Sequence, residues 1–279
     1  MSRRTIARSV TLDGVGLHMG VDCRLTFLPG EAGSGIRFRR ADRGNAETPA
    51  TVSHAVLAER RTQLGEGADA IHTVEHVLAA VAAREIDDLV IVMDGPEPPI
   101  LDGSAGPFFD ALGGAGEAML AGDADVLAVA EPVHLRDGES EYYAEPADSL
   151  QLDVEIDFPH PLIGRQRGQW TISPRSFAAE LAGARTFGFV REVEALRAKG
   201  LIRGASTRNA VVLDDVGLVD TTLRWPDEFV RHKAMDCVGD LALAGARLRA
   251  HVRAIRPSHR GTVLLVRELA RVLTRSAPC

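Results

Sequence analysis

The sequence has no excess of basic residues and no long apolar run. Its 279 residues include 32 Lys and Arg against 39 Asp and Glu, which gives a formal net charge of -7. Proteins that bind the phosphate backbone of nucleic acids normally carry a clustered positive face, so we expect no nucleic-acid partner. The longest apolar runs, such as Leu89–Met93 and Val263–Val266, fall far below the roughly 20 residues that cross a bilayer. We therefore expect no membrane-spanning segment.

Cysteine is also scarce. The three cysteines, Cys23, Cys237 and Cys279, are odd in number and show no Cys-x-x-Cys spacing. This pattern favours neither a disulfide framework nor a structural zinc knuckle, and it fits a reducing compartment. Residues 1–8 are basic, but no apolar stretch of the length of a signal peptide follows them. We expect a cytoplasmic protein.

What is present is the composition of a globular protein, with 45% hydrophobic and 25% charged residues. The length favours two domains. The glycine-rich stretch 113–125 is the predicted linker, which gives an N-terminal domain at 1–125 and a C-terminal domain at 126–279. In each half, runs typical of strands precede runs typical of helices, which predicts two α+β domains. The main predicted elements are strands at 23–28, 35–39, 88–93, 131–135, 141–144 and 150–156, and helices at 71–84, 174–184 and 227–246.

One helical segment carries a histidine and two acids at a regular spacing. His232, Asp236 and Asp240 recur every fourth residue, which advances each side chain only ~40° around a helix. All three side chains then line one face, where His232 and Asp236 are able to bind one cation. A solvated surface pair is the simpler interpretation of the spacing alone. Apolar neighbours such as Phe229 and Val238 argue against it, because buried acids need a partner.

A second segment, Thr73–Ala80, places an acid beside an imidazole. His76 offers the third ligand that a metal site needs, and Glu75 suits a general base that takes a proton from the attacking water. His72 stands four residues before His76, so these two histidines could also form a metal pair of their own. The spacing does not choose between the two arrangements.

Several segments resemble the UDP-3-O-acyl-N-acetylglucosamine deacetylases of lipid A biosynthesis. The resemblance runs in order from about residue 5 to residue 270, and collinear motifs are a specific signal. The segments that carry it are Gly14-Val-Gly-Leu-His, Thr73-Val-Glu-His-Val-Leu-Ala-Ala, Ile100-Leu-Asp-Gly-Ser-Ala-Gly-Pro-Phe, Asp157-Phe-Pro-His-Pro-Leu-Ile-Gly, Ala184-Arg-Thr-Phe-Gly-Phe and Arg231-His-Lys-Ala-Met-Asp-Cys-Val-Gly-Asp-Leu.

The resemblance implies a catalytic site. Its metal is one zinc ion held by His76, His232 and Asp236, and its general base is Glu75. It also implies that Thr186, in the Arg-Thr-Phe-Gly-Phe motif, helps to polarise the substrate carbonyl.

Further residues around this site follow from the same resemblance. Lys233 adds positive charge beside the metal. His259 assists the leaving amine and is oriented by Asp240, although the family's Gly-His-Leu-Asn pattern reads Ser-His-Arg-Gly in this chain. Arg256 is expected near the substrate diphosphate, and Phe158 near the uracil.

The segment 187–212 resembles the family's βαβ insert, which forms an apolar passage for the acyl chain. Phe187 and Phe189 stand at its start. A buried methylene contributes ~0.8 kcal/mol, so this passage could supply much of the affinity. His18, in the glycine-rich first turn, is expected near the substrate. His72 falls where the family keeps no histidine, which favours a surface or supporting role.

The sequence therefore predicts a zinc-dependent hydrolase that removes the acetyl group from an acylated UDP-amino sugar. The implied fold is two related α+β domains, each a β-sheet packed on two helices, with a βαβ insert in the second and the site between them. We expect a monomer, and the sequence leaves open a transient contact with the inner membrane. Two alternatives stay open: a zinc amidohydrolase of another amidated metabolite, and a non-enzymatic α+β binding module.

Overall fold

The computed structural model of the chain describes residues 1–276, which contain nineteen strands and six helices. The elements of the first half are β1 (Ser2–Ile6), β2 (Val10–Val15), β3 (Asp22–Pro29), β4 (Ile36–Arg40), β5 (Ala46–Pro49), β6 (Ala55–Val56), β7 (Gln63–Leu64), β8 (Ile71–His72), α1 (Glu75–Ala83), β9 (Leu89–Met93), α2 (Gly106–Gly114) and β10 (Glu117–Asp123). The elements of the second half are β11 (Val126–Ala128), β12 (Val133–Asp137), β13 (Ser140–Glu145), β14 (Leu150–Phe158), β15 (Gly164–Thr171), α3 (Pro174–Glu180), β16 (Phe187–Phe189), α4 (Val193–Ala198), β17 (Val211–Leu213), β18 (Leu218–Val219), α5 (Glu228–Leu241), β19 (Arg247–Ile255) and α6 (His259–Ser276).

The two halves contain sheets of the same design. In the first sheet the order is β2-β3-β9-β4-β5, and β9 pairs parallel with β4 and antiparallel with β3. In the second sheet the order is β12-β13-β19-β14-β15, and β19 pairs parallel with β14 and antiparallel with β13. The central strand of each sheet directly follows a helix: β9 follows α1, and β19 is the first strand after α5. This repeat confirms the prediction of two related α+β domains.

The predicted linker at 113–125 is largely a strand. It contains β10, which pairs antiparallel with β1. Gly116 and Gly122 gave the stretch its linker character, but their φ angles of 73° and 88° serve bends before and within the strand. The next strand, β11, pairs instead with β19. We propose that the domain boundary lies between residues 125 and 126, where the chain leaves one set of strands for the other.

Each half carries an insert before the helix that precedes its central strand, α1 or α5. In the first half the insert is the small sheet of β6, β7 and β8. Ile71 and His72, predicted as helical, belong to its last strand, because Thr73 has a left-handed φ of 55° and the helix begins only at Glu75. In the second half β16 and β17 pair in parallel and flank α4, which confirms the predicted βαβ insert.

Helices of the two halves pack on each other. α1 packs on α5, α2 contacts β2, and α5 contacts α6, β14 and β15. α3 and α5 end before their predicted limits of 184 and 246, at Glu180 and Leu241. The packing of α1 on α5 places the first turn of α1 beside the middle of α5.

Two expectations from composition concern the whole chain. Within the described residues, Cys23 and Cys237 are buried free thiols, and Cys279 lies outside those residues. Among the helices of residues 1–276, none combines the length and the apolar character needed to cross a bilayer.

Candidate active site

A cavity of about 780 Å³ lies between the two halves. The inserts of both halves contribute to its walls, and the first turns of α1 and α6 and the middle of α5 contribute chemically active side chains. Most residues that the sequence predicts for the site meet here. Those that line the cavity are His18, Glu75, His76, Phe158, Thr186, Phe187, Phe189, His232, Lys233, Asp236 and His259.

His76, His232 and Asp236 form one buried group in this cavity. One potential ligand atom of each lies within 4.8 Å of those of the other two. Asp236 Oδ1 is 3.6 Å from His76 Nε2, and Asp236 Oδ2 is 3.4 Å from His232 Nε2. The two imidazole rings stand edge to face with their centroids 5.2 Å apart. Side chains from α1 and α5 thus converge on one point.

The protonation of this group favours a cation. His232 Nδ1 donates a hydrogen bond to the Ala184 carbonyl at 3.1 Å, and burial lowers the pKa of His232 to about 4. At neutral pH the Nε2 of His232 therefore carries a lone pair, and it faces a carboxylate oxygen. Asp236 Oδ1 is buried and has no hydrogen-bond partner within the described part of the chain. Two imidazoles and a carboxylate with an unpaired oxygen fit a divalent metal ion.

Lys233 lies beside the same carboxylate, with its Nζ 3.0 Å from Asp236 Oδ2. Burial acts to lower the pKa of this lysine, but Asp236, Cys237 and Asp240 together outweigh burial and raise it. Burial acts in turn to raise the pKa of Asp236, while His232 and Lys233 hold it well below its ordinary value. Both groups are charged at neutral pH, so the carboxylate is available to a cation.

The group lies within a segment that matches a known protein family. The family model of UDP-3-O-acyl N-acetylglycosamine deacetylases matches residues 3–271. The chain belongs to this family. The UDP-3-O-acyl-N-acetylglucosamine deacetylase of Anaeromyxobacter dehalogenans is 42% identical over 269 residues, which cover 96% of this chain and 87% of the relative. The proteins of that name from Bdellovibrio bacteriovorus and Myxococcus xanthus are each 39% identical over 96% of this chain, and 89% and 86% of their own lengths are covered.

In this member of the deacetylase family, Glu75 and His259 lie beside the group of His76, His232 and Asp236. Glu75 Oε1 lies 3.8 Å from His259 Nε2, which is also 3.8 Å from Asp236 Oδ2. His259 Nδ1 donates to Asp240 Oδ2 at 2.9 Å, so Asp240 orients the ring from outside the cavity lining. Burial alone would lower the pKa of His259, but the carboxylates of Asp240 and Glu75 raise it to about 9. Burial also raises the pKa of Glu75. These groups are suited to holding and transferring a proton.

Thr186 is fixed in the cavity wall through its backbone. Its N–H donates to the Gly103 carbonyl and its carbonyl accepts from the Val211 N–H, both at 2.8 Å. The preceding Arg185 is paired at 2.8 Å with Glu228, the fully buried first residue of α5. The Arg-Thr-Phe-Gly-Phe segment around Thr186 is therefore anchored to both the insert and the helix that carries His232.

Three phenylalanines form one wall of the cavity. Phe187 packs edge to face on Phe158 and Phe189, at centroid distances of 5.4 and 6.5 Å. The ring centroid of Phe187 also lies 6.1 Å from that of His232, so this wall adjoins the group of His76, His232 and Asp236. His18 contributes elsewhere to the lining, and burial lowers its pKa to about 3. It is therefore a neutral polar group at physiological pH.

Besides Asp240, two residues singled out by the sequence lie outside the cavity lining. Arg256 is partly exposed and pairs with Asp157 at 2.8 Å, so its contact with a substrate diphosphate stays a prediction. His72 lies in β8, with its Nδ1 3.1 Å from Gln63 Oε1. Since β8 precedes the helix, the four-residue spacing does not put His72 and His76 on one helical face.

Sequence reasoning missed two buried residues that support the site. Thr62 hydrogen-bonds both Glu75 and Asp240. Glu97, which is 1% exposed, accepts a hydrogen bond from the backbone N–H of His18. An acid between two prolines in the turn after β9 was a faint signal for Glu97. Thr62 offered none, because it stands in irregular chain outside every recognisable motif.

Proposed function

We propose that this protein hydrolyses the acetamide of UDP-3-O-acyl-N-acetylglucosamine, releasing acetate and the free 2-amino sugar nucleotide, as the committed step of lipid A biosynthesis. The observation that carries this proposal is the meeting of the His76, His232 and Asp236 group with the Glu75 and His259 pair in one cavity. Membership of the deacetylase family supports it. The same constellation would be hard to explain in a protein that only binds a partner.

We propose one zinc ion as the cofactor, held by His76, His232 and Asp236. Catalytic zinc sites typically have three protein ligands drawn from imidazoles and carboxylates, and this group offers such a set. When bound there, the ion acts as a Lewis acid toward the acetamide carbonyl and the attacking water.

Glu75 is the proposed general base. Its buried carboxylate accepts a proton from the water that adds to the acetamide carbon. His259, with a pKa of about 9, is protonated at neutral pH and donates a proton to the amine as the C–N bond breaks. Asp240 keeps the His259 ring in place through the hydrogen bond to Nδ1. Acetate leaves with the oxygen of the water, and the sugar retains its amine.

Thr186 and Lys233 are proposed to stabilise the negative charge that develops on the carbonyl oxygen. Thr186 offers a hydroxyl donor and Lys233 a full positive charge at the cavity wall. Donors that are already in position where charge develops act without reorganisation, which is why such groups contribute strongly to catalysis.

The apolar part of the cavity is the proposed site of the acyl chain. Leu196, Ile202 and Val212 of the insert region line it. Each methylene buried there would contribute ~0.8 kcal/mol of binding free energy. The uracil is proposed to lie against Phe158, with the diphosphate toward Arg256.

The test is an acetate-release assay on UDP-3-O-acyl-N-acetylglucosamine of graded acyl length and on UDP-N-acetylglucosamine, with and without a chelator. We expect turnover of the acylated substrates, loss of turnover in chelator and recovery with added zinc. Equal turnover of the non-acylated sugar nucleotide would favour a different zinc amidohydrolase. No acetate from any substrate, with zinc bound, would favour a binding module instead.

We propose that the protein works as a monomer in the cytoplasm. The buried free thiols of Cys23 and Cys237 support a reducing compartment. Sedimentation of the purified protein, alone and with vesicles of inner-membrane lipids, tests the monomer and the transient membrane contact.

A further inference from the structure

Thr62 contacts both halves of the proposed proton-transfer pair. It is 1% exposed and lies directly before β7. Its backbone N–H donates to Glu75 Oε2 at 3.0 Å, and its hydroxyl donates to Asp240 Oδ1 at 2.5 Å. The same hydroxyl oxygen lies 3.3 Å from His259 Nδ1. One residue in irregular chain thus joins groups that come from α1, α5 and α6.

These contacts leave Asp240 with both carboxylate oxygens engaged. Oδ1 accepts from the Thr62 hydroxyl and Oδ2 accepts from His259 Nδ1. A carboxylate held at both oxygens cannot turn about its own axis, so the proton on Nδ1 stays where it is. The ring of His259 then presents its Nε2 to the cavity.

The backbone contact does the same for the other member of the pair. Thr62 N–H holds Oε2 of Glu75, and Oε1 is the atom that lies 3.8 Å from His259 Nε2. Thr62 is itself tied to the chain that begins α1, because its carbonyl accepts from Val74 N–H at 3.3 Å and the next residue pairs with His72 in the small sheet.

We propose that Thr62 is a positioning residue that sets the mutual orientation of Glu75 and His259 for proton transfer. This inference rests on the proposed function and adds a residue to it. Thr62 lies outside the cavity lining, so it acts through the groups that it holds rather than by touching the substrate. A substitution by any residue other than proline keeps the backbone contact with Glu75, whereas loss of the hydroxyl removes the contact with Asp240. The effects of the two contacts can therefore be measured separately.

The test compares Thr62→Val, which keeps the shape and loses the hydroxyl, with Thr62→Ser, which keeps the hydroxyl. For Thr62→Val we expect kcat to fall about 10- to 100-fold, as for other supporting residues of metal sites, with KM nearly unchanged. Thr62→Ser should restore most of kcat. Thr5→Val is the matched control, because the Thr5 hydroxyl is equally buried and accepts from Gly30 N–H, far from the site along the chain.

A second readout does not depend on turnover. In the wild type, NMR of the protein with labelled histidine should show a His259 Nδ1 proton that exchanges slowly with water, and Thr62→Val should make this exchange at least several-fold faster. If Thr62→Val keeps the wild-type kcat and proton exchange, the proposal is wrong. It is also wrong if Thr62→Ser loses as much as Thr62→Val, or if only KM rises.

Two further outcomes are decisive as well. If the wild type releases no acetate while the Nδ1 proton still responds to the Thr62 hydroxyl, the proposed function fails and the positioning role stands. If Thr62→Val does not fold, Thr62→Ala and Thr62→Ser replace it as the pair that differs in the hydroxyl alone.

Discussion

Gly239 of α5 lies against the backbone of Glu75. A Cβ at Gly239 would stand 1.9 Å from the Glu75 carbonyl oxygen and 2.7 Å from its carbonyl carbon. Both atoms are backbone, so they cannot rotate aside as the end of a side chain would. The distance between the two helices that carry the proposed metal ligands and the proposed general base is therefore fixed at a residue without a side chain.

Gly239→Ala should separate α1 from α5. We expect the free energy of unfolding to fall by about 1–3 kcal/mol, as in other overpacked cores. Turnover should fall by roughly 100-fold, because a shift of about 1 Å in a catalytic group has that effect. Urea unfolding and the acetate-release assay measure the two quantities.

Gly114→Ala is the control for that substitution. Gly114 is likewise a helical glycine, at the end of α2, but a Cβ there would meet nothing within 4 Å. Alanine favours helix over glycine, so this variant should be at least as stable as the wild type and fully active. Wild-type stability and turnover in both variants would contradict the role given to Gly239.

Glu75→Gln tests the general base. The amide keeps the shape of the side chain but cannot accept the proton of the attacking water. We expect turnover to fall about 100- to 10,000-fold, the usual contribution of general base catalysis. Zinc content, measured by elemental analysis, should stay at one per chain. Loss of the metal together with activity would instead make Glu75 part of the metal site.

His76→Ala tests whether His76 is a ligand of the proposed zinc ion. Removal of one of three ligands should abolish zinc binding after dialysis, and turnover should disappear with it. His54→Ala is the control, because His54 is exposed and, among the described residues, its ring hydrogen-bonds only to the side chains of its neighbours Thr51 and Ser53. Full zinc occupancy in His76→Ala would remove His76 from the proposed ligand set.

The close approach of His232 and Asp236 on α5 was predictable because a helix fixes local geometry. The four-residue spacing of His232 and Asp236 puts both on one face whatever the rest of the chain does. Their distance from His76 is set by the packing of α1 on α5, which no local pattern encodes, and the resemblance to a family supplied that ligand.

The failures of prediction also have identifiable physical causes. The segment 71–84 has helical periodicity throughout, but the left-handed Thr73 and the pairing of β8 with β7 delay the helix to Glu75. Thr62 could not be found at all, because its importance comes from three contacts made across the fold by one non-periodic residue. The strand order of the sheets could not be predicted from the sequence either, because the central strands β9 and β19 insert between strands that precede them in the chain.

His72→Gln tests the effect of burial on a histidine outside the site. Burial, together with the charges of Arg61 and Arg40, lowers the pKa of His72 to about 4. Above pH 6.5 the ring is neutral in both the folded and the unfolded chain, so it contributes nothing to the pH dependence of stability. Between about pH 6.5 and 4 the unfolded chain binds a proton that the folded chain does not. The free energy of unfolding therefore decreases as the pH is lowered through this range.

Glutamine cannot take up that proton and still reaches Gln63, the present partner of His72. The variant should therefore lose less stability than the wild type between pH 7.5 and 5, by about 1 kcal/mol, since partial exposure of the ring screens part of the effect. Urea unfolding at the two pH values measures the difference. Equal losses of stability in the two proteins would mean that His72 is protonated as readily in the folded chain as in the unfolded one. A larger loss in the variant would mean that folding raises the pKa of His72 instead of lowering it.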